Sequence, residues 1–162
     1  MNKYIFVDLD ETLIHSIGLH TGRDMPNYKK ISLSKKESYN ARLRSCSLAF
    51  LTAAREKAKV FMLTVATRDY ALAMNEAFSL GFKAKDIYSR EDVRAKLIKP
   101  PKIEPGAVWL FDNLPLDYNE EKRDFLAHLG PLNYVEVPPL DHYSADRLDA
   151  DDLLLLLEEE VK

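Results

Sequence analysis

The sequence predicts an α/β fold, a Rossmann-like parallel sheet flanked by helices. Two observations lead to this prediction. Short apolar runs without polar alternation, which are typical of strands covered on both faces, recur along the chain. Between these runs lie stretches with apolar residues at helical spacing. A chain of 162 residues with 46% hydrophobic content can bury one core, so we expect a single domain over residues 1–162.

Each predicted element has a local signal. The predicted strands are the apolar runs at residues 4–7 (YIFV), 59–63 (KVFML), 107–111 (AVWLF) and 134–137 (YVEV). The predicted helices cover residues 47–57, 69–80 and 151–161, and Gly81 ends the second of them. Because strands and helices alternate, we expect the strands to run parallel.

One segment does not follow this alternation. Residues 17–43 are polar and rich in turn-forming residues, and only KKISLS and SYNARLR are typical of short strands there. We expect a small β-hairpin or flap inserted after the first strand, and no large cap. The lysines of this insertion either attract an anionic substrate or form a solvated surface; they are Lys29, Lys30, Lys35 and Lys36.

Composition excludes several classes of protein. The net charge of −3 gives no sustained basic field, so nucleic acid would have to bind through a local patch. The single cysteine, Cys46, excludes an internal disulfide. The apolar runs are too short to cross a bilayer, and the first residues do not have the pattern of a signal peptide. We therefore expect a cytoplasmic protein without membrane contact, and as a separate expectation a monomer.

The residues that come directly after the strands carry the candidate chemistry. Asp8 and Asp10 follow the first strand, Thr64 follows the second, and Asp112 and Asn113 follow the third. In an open parallel sheet, ligands bind beyond the carboxyl ends of the strands. If these three strands are neighbours, the five side chains meet in one crevice.

Two carboxylates in a D-x-D pair need an explanation, because like charges repel. Such a pair can simply cap the turn after a strand. Polar residues after three different strands favour a shared cation instead, and a set of oxygen ligands suits Mg²⁺. Beside that ion one carboxylate can attack phosphorus, while the second passes a proton to the leaving oxygen.

Several motifs resemble those of a known family. DLDET at residues 8–12 matches the D-x-D-x-T motif of the haloacid dehalogenase superfamily. Within it, DLDETLIHS, ARLRSCSLAFL, MLTVATRDYA, SRED and FDNLPLDY resemble segments of the phosphatases that act on the carboxy-terminal domain of RNA polymerase II. The resemblance implies a Mg²⁺-dependent phosphomonoester hydrolase that forms an aspartyl-phosphate.

The resemblance also implies roles for the matching residues. Asp8 is the nucleophile and a metal ligand, and Asp10 is the general acid and base and offers its backbone carbonyl to the metal. Thr64 is catalytic and binds the phosphate. Thr12 and Tyr70 support phosphate or substrate binding.

For the remaining metal ligands and for the lysine of the site, this sequence can be aligned with the family's motifs in more than one way. Asn113 completes the metal site beside Asp112, whereas the broader superfamily pattern uses Asp112 and Asp117 as the metal acids. For the catalytic lysine, ungapped counting along the motifs reaches Lys102, and the lysine-proline pattern of the superfamily selects Lys99.

The resemblance gives a first substrate, phosphoserine or phosphothreonine on a protein. A phosphorylated nucleic-acid end and a small phosphate ester are the alternatives within the same superfamily. An alternative of another class is a regulatory module that binds phosphate without turning it over.

Overall fold

A five-stranded parallel sheet forms the centre of the protein in this computed structural model, which describes residues 2–18, 27–95, 104–139 and 152–162. In these ranges the strands are β1 (Lys3–Val7), β2 (Ile14–Gly18), β3 (Lys29–Ser32), β4 (Ser38–Leu43), β5 (Lys59–Leu63), β6 (Ile87–Tyr88), β7 (Ala107–Asp112) and β8 (Leu132–Glu136). The helices are α1 (Ser47–Lys57), α2 (Arg68–Ala77), α3 (Arg90–Arg94), α4 (Glu120–Leu126) and α5 (Asp152–Glu160).

Strand β1 lies in the middle of the sheet, whose order is β6-β5-β1-β7-β8. It pairs in parallel with β5 on one side and β7 on the other, so Val7 lies opposite both Met62 and Phe111. The predicted α/β fold with a parallel sheet is confirmed. The carboxyl ends of the first three predicted strands are therefore adjacent.

Two apolar layers cover this sheet and explain the continuous apolar runs. Ile5 and Val7 belong to a core cluster with residues of α1, α2 and α5. On the other face, Phe6 stacks on Phe61 with ring centroids 5.0 Å apart and shares a second cluster with Leu126 of α4. Successive side chains of a strand point to opposite faces, so a sheet between two layers needs apolar residues at every position.

The insertion forms an antiparallel sheet of its own, with the order β2-β4-β3. Strands β3 and β4 lie in the KKISLS and SYNARLR segments, where the sequence predicts short strands. The first strand of this sheet, β2, begins at Ile14, before the predicted start of the insertion at residue 17. No Gly, Pro, Asn or Asp separates the D-x-D-x-T segment from IHSIG, so the sequence does not mark the start of a new element there. Ile31 and Ala41 are buried in the larger core cluster, which anchors this sheet to the domain.

Besides β2, the sequence analysis did not predict three of these elements, β6, α3 and α4. Two residues of β6 are too few to show a period, and the EEKRDFL sequence of α4 is short and mostly charged. Helix α2 ends at Ala77 rather than at the predicted residue 80. Across the described part of the chain, no helix has both the length and the apolar character that a bilayer crossing requires.

Candidate active site

The ends of β1 and β7 bring four of the predicted residues together. The backbone N–H of Asp8 donates to the carbonyl of Phe111 at 2.9 Å, which fixes Asp8 against β7. Thr12 Oγ1 donates to Asp8 Oδ2 at 3.2 Å and to Asn113 Oδ1 at 3.4 Å. Asp112, the last residue of β7, is fully buried.

Thr64 lies at the end of the neighbouring strand β5 and is buried. Its backbone N–H donates to the carbonyl of Tyr88 at 2.9 Å, and its Oγ1 accepts from the N–H of Ala66 at 3.1 Å. Because the hydroxyl is the acceptor in this second bond, its own proton remains available to another acceptor.

A buried arginine holds the loop that carries Asp10. The next residue, Glu11, has a φ of 64°, a left-handed conformation that is unfavourable for a residue with a side chain. Arg44 is fully buried and donates to the carbonyls of Thr12 at 2.7 Å, Glu11 at 3.3 Å and Pro138 at 2.5 Å. These bonds tie the loop to the segments after β4 and β8 and so fix the position of the two carboxylates.

A lysine that the sequence analysis did not name lies between two of the acids. Nζ of Lys122, on α4, is 2.8 Å from Asp8 Oδ1 and 2.5 Å from Asp112 Oδ2, and the lysine side chain is 1% exposed. The other oxygen of Asp112 accepts from the N–H of Leu114 at 2.9 Å. Both oxygens of Asp112 thus accept from protein donors, and one of them orients Lys122.

The two predicted lysines, Lys99 and Lys102, lie outside the described residues. A sequence signal for Lys122 does exist: it precedes Phe125 and Leu126 by three and four positions, so all three side chains share one face of a short helix. A lysine on the apolar face of a helix needs a buried acid as its partner. Asp117, the alternative metal acid, is exposed on the turn Leu116–Tyr118.

Burial and the charge of the partner act in opposite directions on the pKa values of Asp8 and Lys122. Burial raises the pKa of Asp8 from 3.8 to about 7; Lys122 opposes this shift and Asp112 adds to it. Burial by itself would lower the pKa of Lys122, but Asp8 and Asp112 outweigh it and raise that pKa, so the ammonium stays charged. One ammonium between two carboxylates leaves a negative charge uncompensated, which a cation can neutralise.

The residues on the other side of Asp8 fit a hard cation. The terminal amide of Asn113 lies 2.9 Å from Asp8 Oδ2 and 3.1 Å from the Asp10 carbonyl oxygen, and both of these are acceptors. With its nitrogen inward the amide donates to both; with its oxygen inward, three oxygens face one point, the arrangement that binds Mg²⁺.

This candidate metal site depends on an amide and a main-chain carbonyl as well as a carboxylate. Within the described ranges, no group of three or more His, Cys, Asp or Glu side chains is arranged to hold a metal ion. Mg²⁺ needs only one or two carboxylates when water and substrate oxygens supply the other ligands. The small number of acidic ligands is therefore compatible with Mg²⁺.

Asp10 contacts a tyrosine instead of the lysine. The hydroxyl of Tyr70, on α2, donates to Asp10 Oδ1 at 2.6 Å and lies 2.6 Å from Ser16 Oγ. Thr67 caps α2 by accepting from the N–H of Tyr70 at 3.4 Å, which positions this ring. Burial raises the pKa of Asp10, and the hydrogen bond from Tyr70 opposes that rise. A carboxyl with a raised pKa keeps its proton to a higher pH and can donate it to a leaving group.

A cleft of about 340 Å³ opens beside Asp10. Its lining includes Ser16 and Tyr70, Glu37 and Tyr39 from the insertion, and Arg90 from α3. Tyr39 packs against Tyr70 edge to face, with ring centroids 5.0 Å apart. The insertion therefore forms one wall of the cleft next to the candidate acid and base.

We expect Tyr70→Phe to raise the pKa of Asp10 further, because it removes a hydrogen bond that favours the ionised carboxylate. The basic form of Asp10 then appears at a higher pH, so the acidic limb of the profile of kcat against pH moves to higher pH. Such a charge-assisted bond is typically worth about 1.5–3 kcal/mol, which corresponds to a shift of the acidic limb by about one to two pH units.

The pH dependence of aryl phosphate hydrolysis checks this expectation. Tyr39→Phe is the matched control, because it removes a hydroxyl from the same cleft that donates to Glu37 and not to Asp10. An unchanged profile in Tyr70→Phe, or an equal shift in both variants, contradicts the expectation.

Comparisons with known proteins give the following similarities. The family model for NLI interacting factor-like phosphatases matches residues 3–127. Among solved structures, the chain resembles the fission yeast RNA polymerase II CTD phosphatase Fcp1 bound to beryllium fluoride, with 18% identity, a TM-score of 0.58, and 85% of this chain and 42% of that chain covered. It also resembles a structure of Fcp1 described as an essential RNA polymerase II CTD phosphatase, with 17% identity, a TM-score of 0.60, and 98% and 49% covered.

At these identities the two structures show a shared fold. The chain spans less than half the length of either of them, since it covers 42% and 49% of their chains. No curated protein matches the sequence at a significant level.

Proposed function

The chain belongs to the family of NLI interacting factor-like phosphatases, and on this premise we propose that it hydrolyses phosphomonoesters with Mg²⁺ through an aspartyl-phosphate at Asp8. The observation that carries the proposal is the environment of the Asp8 carboxylate. One oxygen contacts the ammonium of Lys122, and the other faces Thr12 and Asn113. These contacts hold the carboxylate in one orientation. The ammonium of Lys122 gives positive charge on one side of it, and a metal ion beside Asn113 would give positive charge on the other, so both could attract a phosphate.

In the first step Asp8 attacks phosphorus. A new P–O bond to the Asp8 carboxylate forms while the P–O bond to the substrate alcohol breaks, and Asp10 gives its proton to the departing oxygen. Lys122 keeps Asp8 oriented and presents its charge to the phosphoryl group, and Thr64 donates its hydroxyl proton to a phosphoryl oxygen.

In the second step Asp10, now ionised, takes a proton from water. The water oxygen attacks phosphorus, the P–O bond to Asp8 breaks, and inorganic phosphate leaves. The hydrogen bond from Tyr70 stabilises Asp10 as a carboxylate during this interval. One residue thus serves as acid and then as base.

The residues that would hold Mg²⁺ are Asp8, Asn113 and the backbone carbonyl of Asp10. There the ion supplies positive charge that reduces the repulsion between the phosphate and the attacking carboxylate. Asp112 orients Lys122 from the second side.

The proposed substrate is phosphoserine or phosphothreonine on a protein. The similarity to Fcp1, a phosphatase of the RNA polymerase II CTD, supports a phosphoprotein. The cleft of about 340 Å³ beside Asp10 can accommodate a side chain of the substrate next to the phosphate group. Phosphorylated oligonucleotides and small phosphate esters are the second candidates.

We expect an aryl phosphate to be hydrolysed in the presence of Mg²⁺ and not after the ion has been removed with EDTA. Activity should return when Mg²⁺ is added back, and Asn113→Ala should need a higher Mg²⁺ concentration for half-maximal rate because it removes one ligand. The measurement is the initial rate of aryl alcohol release as a function of free Mg²⁺.

Two results would contradict the proposal. Absence of hydrolysis at every Mg²⁺ concentration would favour a silent phosphate-binding module. Full activity in EDTA would exclude the role of the metal. Phosphopeptides, 5′- and 3′-phosphorylated oligonucleotides and small esters, compared by kcat/KM, then rank the substrate classes.

A further inference from the structure

Glu11 has an unfavourable backbone conformation between two residues of the proposed site. It lies directly after Asp10 and before Thr12, and its φ of 64° is in the left-handed region. In that region the Cβ of a side chain comes too close to a carbonyl oxygen, so a residue other than glycine needs support from its surroundings. Because the chain turns at Glu11, a change of its φ would move Asp10 relative to Thr12 and Asp8.

The side chain of His15 supports Glu11. Nδ1 of the imidazole lies 2.6 Å from Glu11 Oε1. A carboxylate accepts hydrogen bonds and does not donate them, so we assign the proton to Nδ1 and the role of acceptor to Glu11. His15 is only 8% exposed, and a hydrogen bond to a carboxylate that is shielded from water is strong.

Strand β2 fixes the position of this imidazole. His15 lies opposite Arg42 of β4 in the antiparallel sheet of the insertion. Its ring also meets the ring of Tyr28 edge to face, with centroids 6.1 Å apart. These two contacts belong to the insertion, whereas Glu11 belongs to the loop after β1. The hydrogen bond between His15 and Glu11 therefore joins the insertion to the loop that carries Asp10.

Two main-chain contacts also hold Glu11, and they differ from the contact with His15. The backbone N–H of Glu11 donates to the carbonyl of Ile14 at 2.7 Å, and its carbonyl accepts from Nη2 of Arg44 at 3.3 Å. Any residue other than proline at position 11 can make both. The bond to His15 needs the carboxylate, so a substitution of either partner removes this bond and leaves the main-chain contacts possible.

We propose, on the basis of the proposed function, that His15 is a positioning residue for Asp10, because its hydrogen bond to Glu11 stabilises the left-handed conformation that keeps Asp10 within reach of the leaving oxygen. Asp10 protonates that oxygen in the first step and takes a proton from water in the second. Loss of the bond leaves the nucleophile Asp8 in place and impairs the acid and base. The role of His15 requires no contact with the phosphate.

Two aryl phosphates that differ in their need for an acid test the proposal. p-Nitrophenyl phosphate has a good leaving group, whereas phenyl phosphate has a poor one, so kcat/KM for phenyl phosphate depends more on Asp10. We expect His15→Leu to lower kcat/KM for phenyl phosphate by about tenfold, the cost of an unsupported left-handed residue, and for p-nitrophenyl phosphate by less than about twofold. A smaller fraction of folded protein would lower both values by the same factor.

His15→Asn is the conservative variant. The side-chain nitrogen of asparagine occupies nearly the position of Nδ1 and can donate to Glu11, although the residue cannot carry the charge of an imidazolium. We expect it to retain most of the wild-type kcat/KM for both esters. This result would assign the effect to the hydrogen bond rather than to a charge at position 15.

Substitutions of Glu11 test the conformational part of the proposal. Glu11→Ala removes the carboxylate and keeps a Cβ, so it should show the same selective loss as His15→Leu. Glu11→Gly also removes the carboxylate, but glycine adopts a positive φ without that cost. Its kcat/KM for phenyl phosphate should therefore exceed that of Glu11→Ala, and adding His15→Leu to it should cause no further loss.

His128→Leu is the matched control, because it makes the same change at an exposed histidine in the turn after α4. It should leave kcat/KM for both esters unchanged. Three results would each overturn the proposal: equal losses for the two esters in His15→Leu, a loss in His15→Asn as large as in His15→Leu, or a full further loss when His15→Leu is added to Glu11→Gly.

The wild type separates this proposal from the one it depends on. If the wild type hydrolyses both esters and His15→Leu does so at the same rates, only the role of His15 is wrong. If the wild type hydrolyses neither ester, the proposed function itself is wrong and the role of His15 fails with it.

Discussion

Asp8→Asn is expected to lower kcat for every phosphate ester by at least about 10³-fold, because an amide cannot replace the attacking carboxylate. The direct measurement is the covalent intermediate. Wild-type enzyme that is mixed with a radiolabelled phosphopeptide and quenched in acid should carry protein-bound phosphate that hydroxylamine releases. The variant should carry none.

The same substitution is not expected to unfold the protein. Asparagine keeps the shape of Asp8 and removes one of two buried like charges, while Lys122 stays paired with Asp112. We expect a melting temperature equal to or above that of the wild type in EDTA. Loss of activity with an unchanged melting curve therefore reports on chemistry.

Asp10→Asn is the matched variant, since it makes the same change two residues along the chain. An aryl phosphate has a good leaving group and needs little help from an acid, so Asp8 can still attack. Without a base to activate water, the phosphoenzyme should accumulate. Turnover in Asp8→Asn, or labelled protein in that variant, would contradict the assignment of the nucleophile.

The convergence of the site could be predicted from short segments of sequence. Asp8 and Asp112 directly follow apolar runs, and parallel strands end at the same edge of a sheet. This prediction holds only if the strands are neighbours in the sheet. Strand β1 pairs with both β5 and β7, so the condition is met. Thr67, at the start of α2, likewise has the capping role that its position before a helix favours.

The sequence analysis did not predict Lys122 because the order of the family's motifs along the chain does not point to this residue. The resemblance places the lysine of the site before Asp112 in the chain, whereas Lys122 comes after it on a short, mostly charged helix. Its partners are 114 and 10 residues away, and such contacts arise from tertiary packing rather than from local pattern. The residues of the insertion that line the cleft could not be predicted for a similar reason, since only the fold shows which of them face it.

Lys122→Met is expected to lower both activity and stability. Methionine has nearly the length of lysine without its charge, so Asp8 and Asp112 remain buried without an ammonium between them. Removing one partner of a buried ion pair typically costs about 3–5 kcal/mol. We expect a loss of this size in urea unfolding at pH 8 in EDTA, and a fall of about 10²–10³ in kcat/KM with Mg²⁺.

The loss of stability should depend on pH. The pKa of Asp8 in the folded protein is about 7 against an ordinary value of 3.8, and it should rise further once Lys122 no longer lowers it. Between these values the folded state binds more protons than the unfolded state, so stability falls as the pH rises. The variant should therefore be closer to the wild type at pH 5 than at pH 8.

Lys85→Met is the control, because it removes an exposed ammonium from the turn before β6 and should change stability by no more than about 0.5 kcal/mol. Two readouts separate the possible roles of Lys122. If Lys122→Met loses stability and keeps wild-type kcat/KM, its ammonium only neutralises buried acids, and Lys99→Met or Lys102→Met should then abolish turnover. If Lys122→Met loses both while the other two variants stay active, the lysine of the site comes from α4.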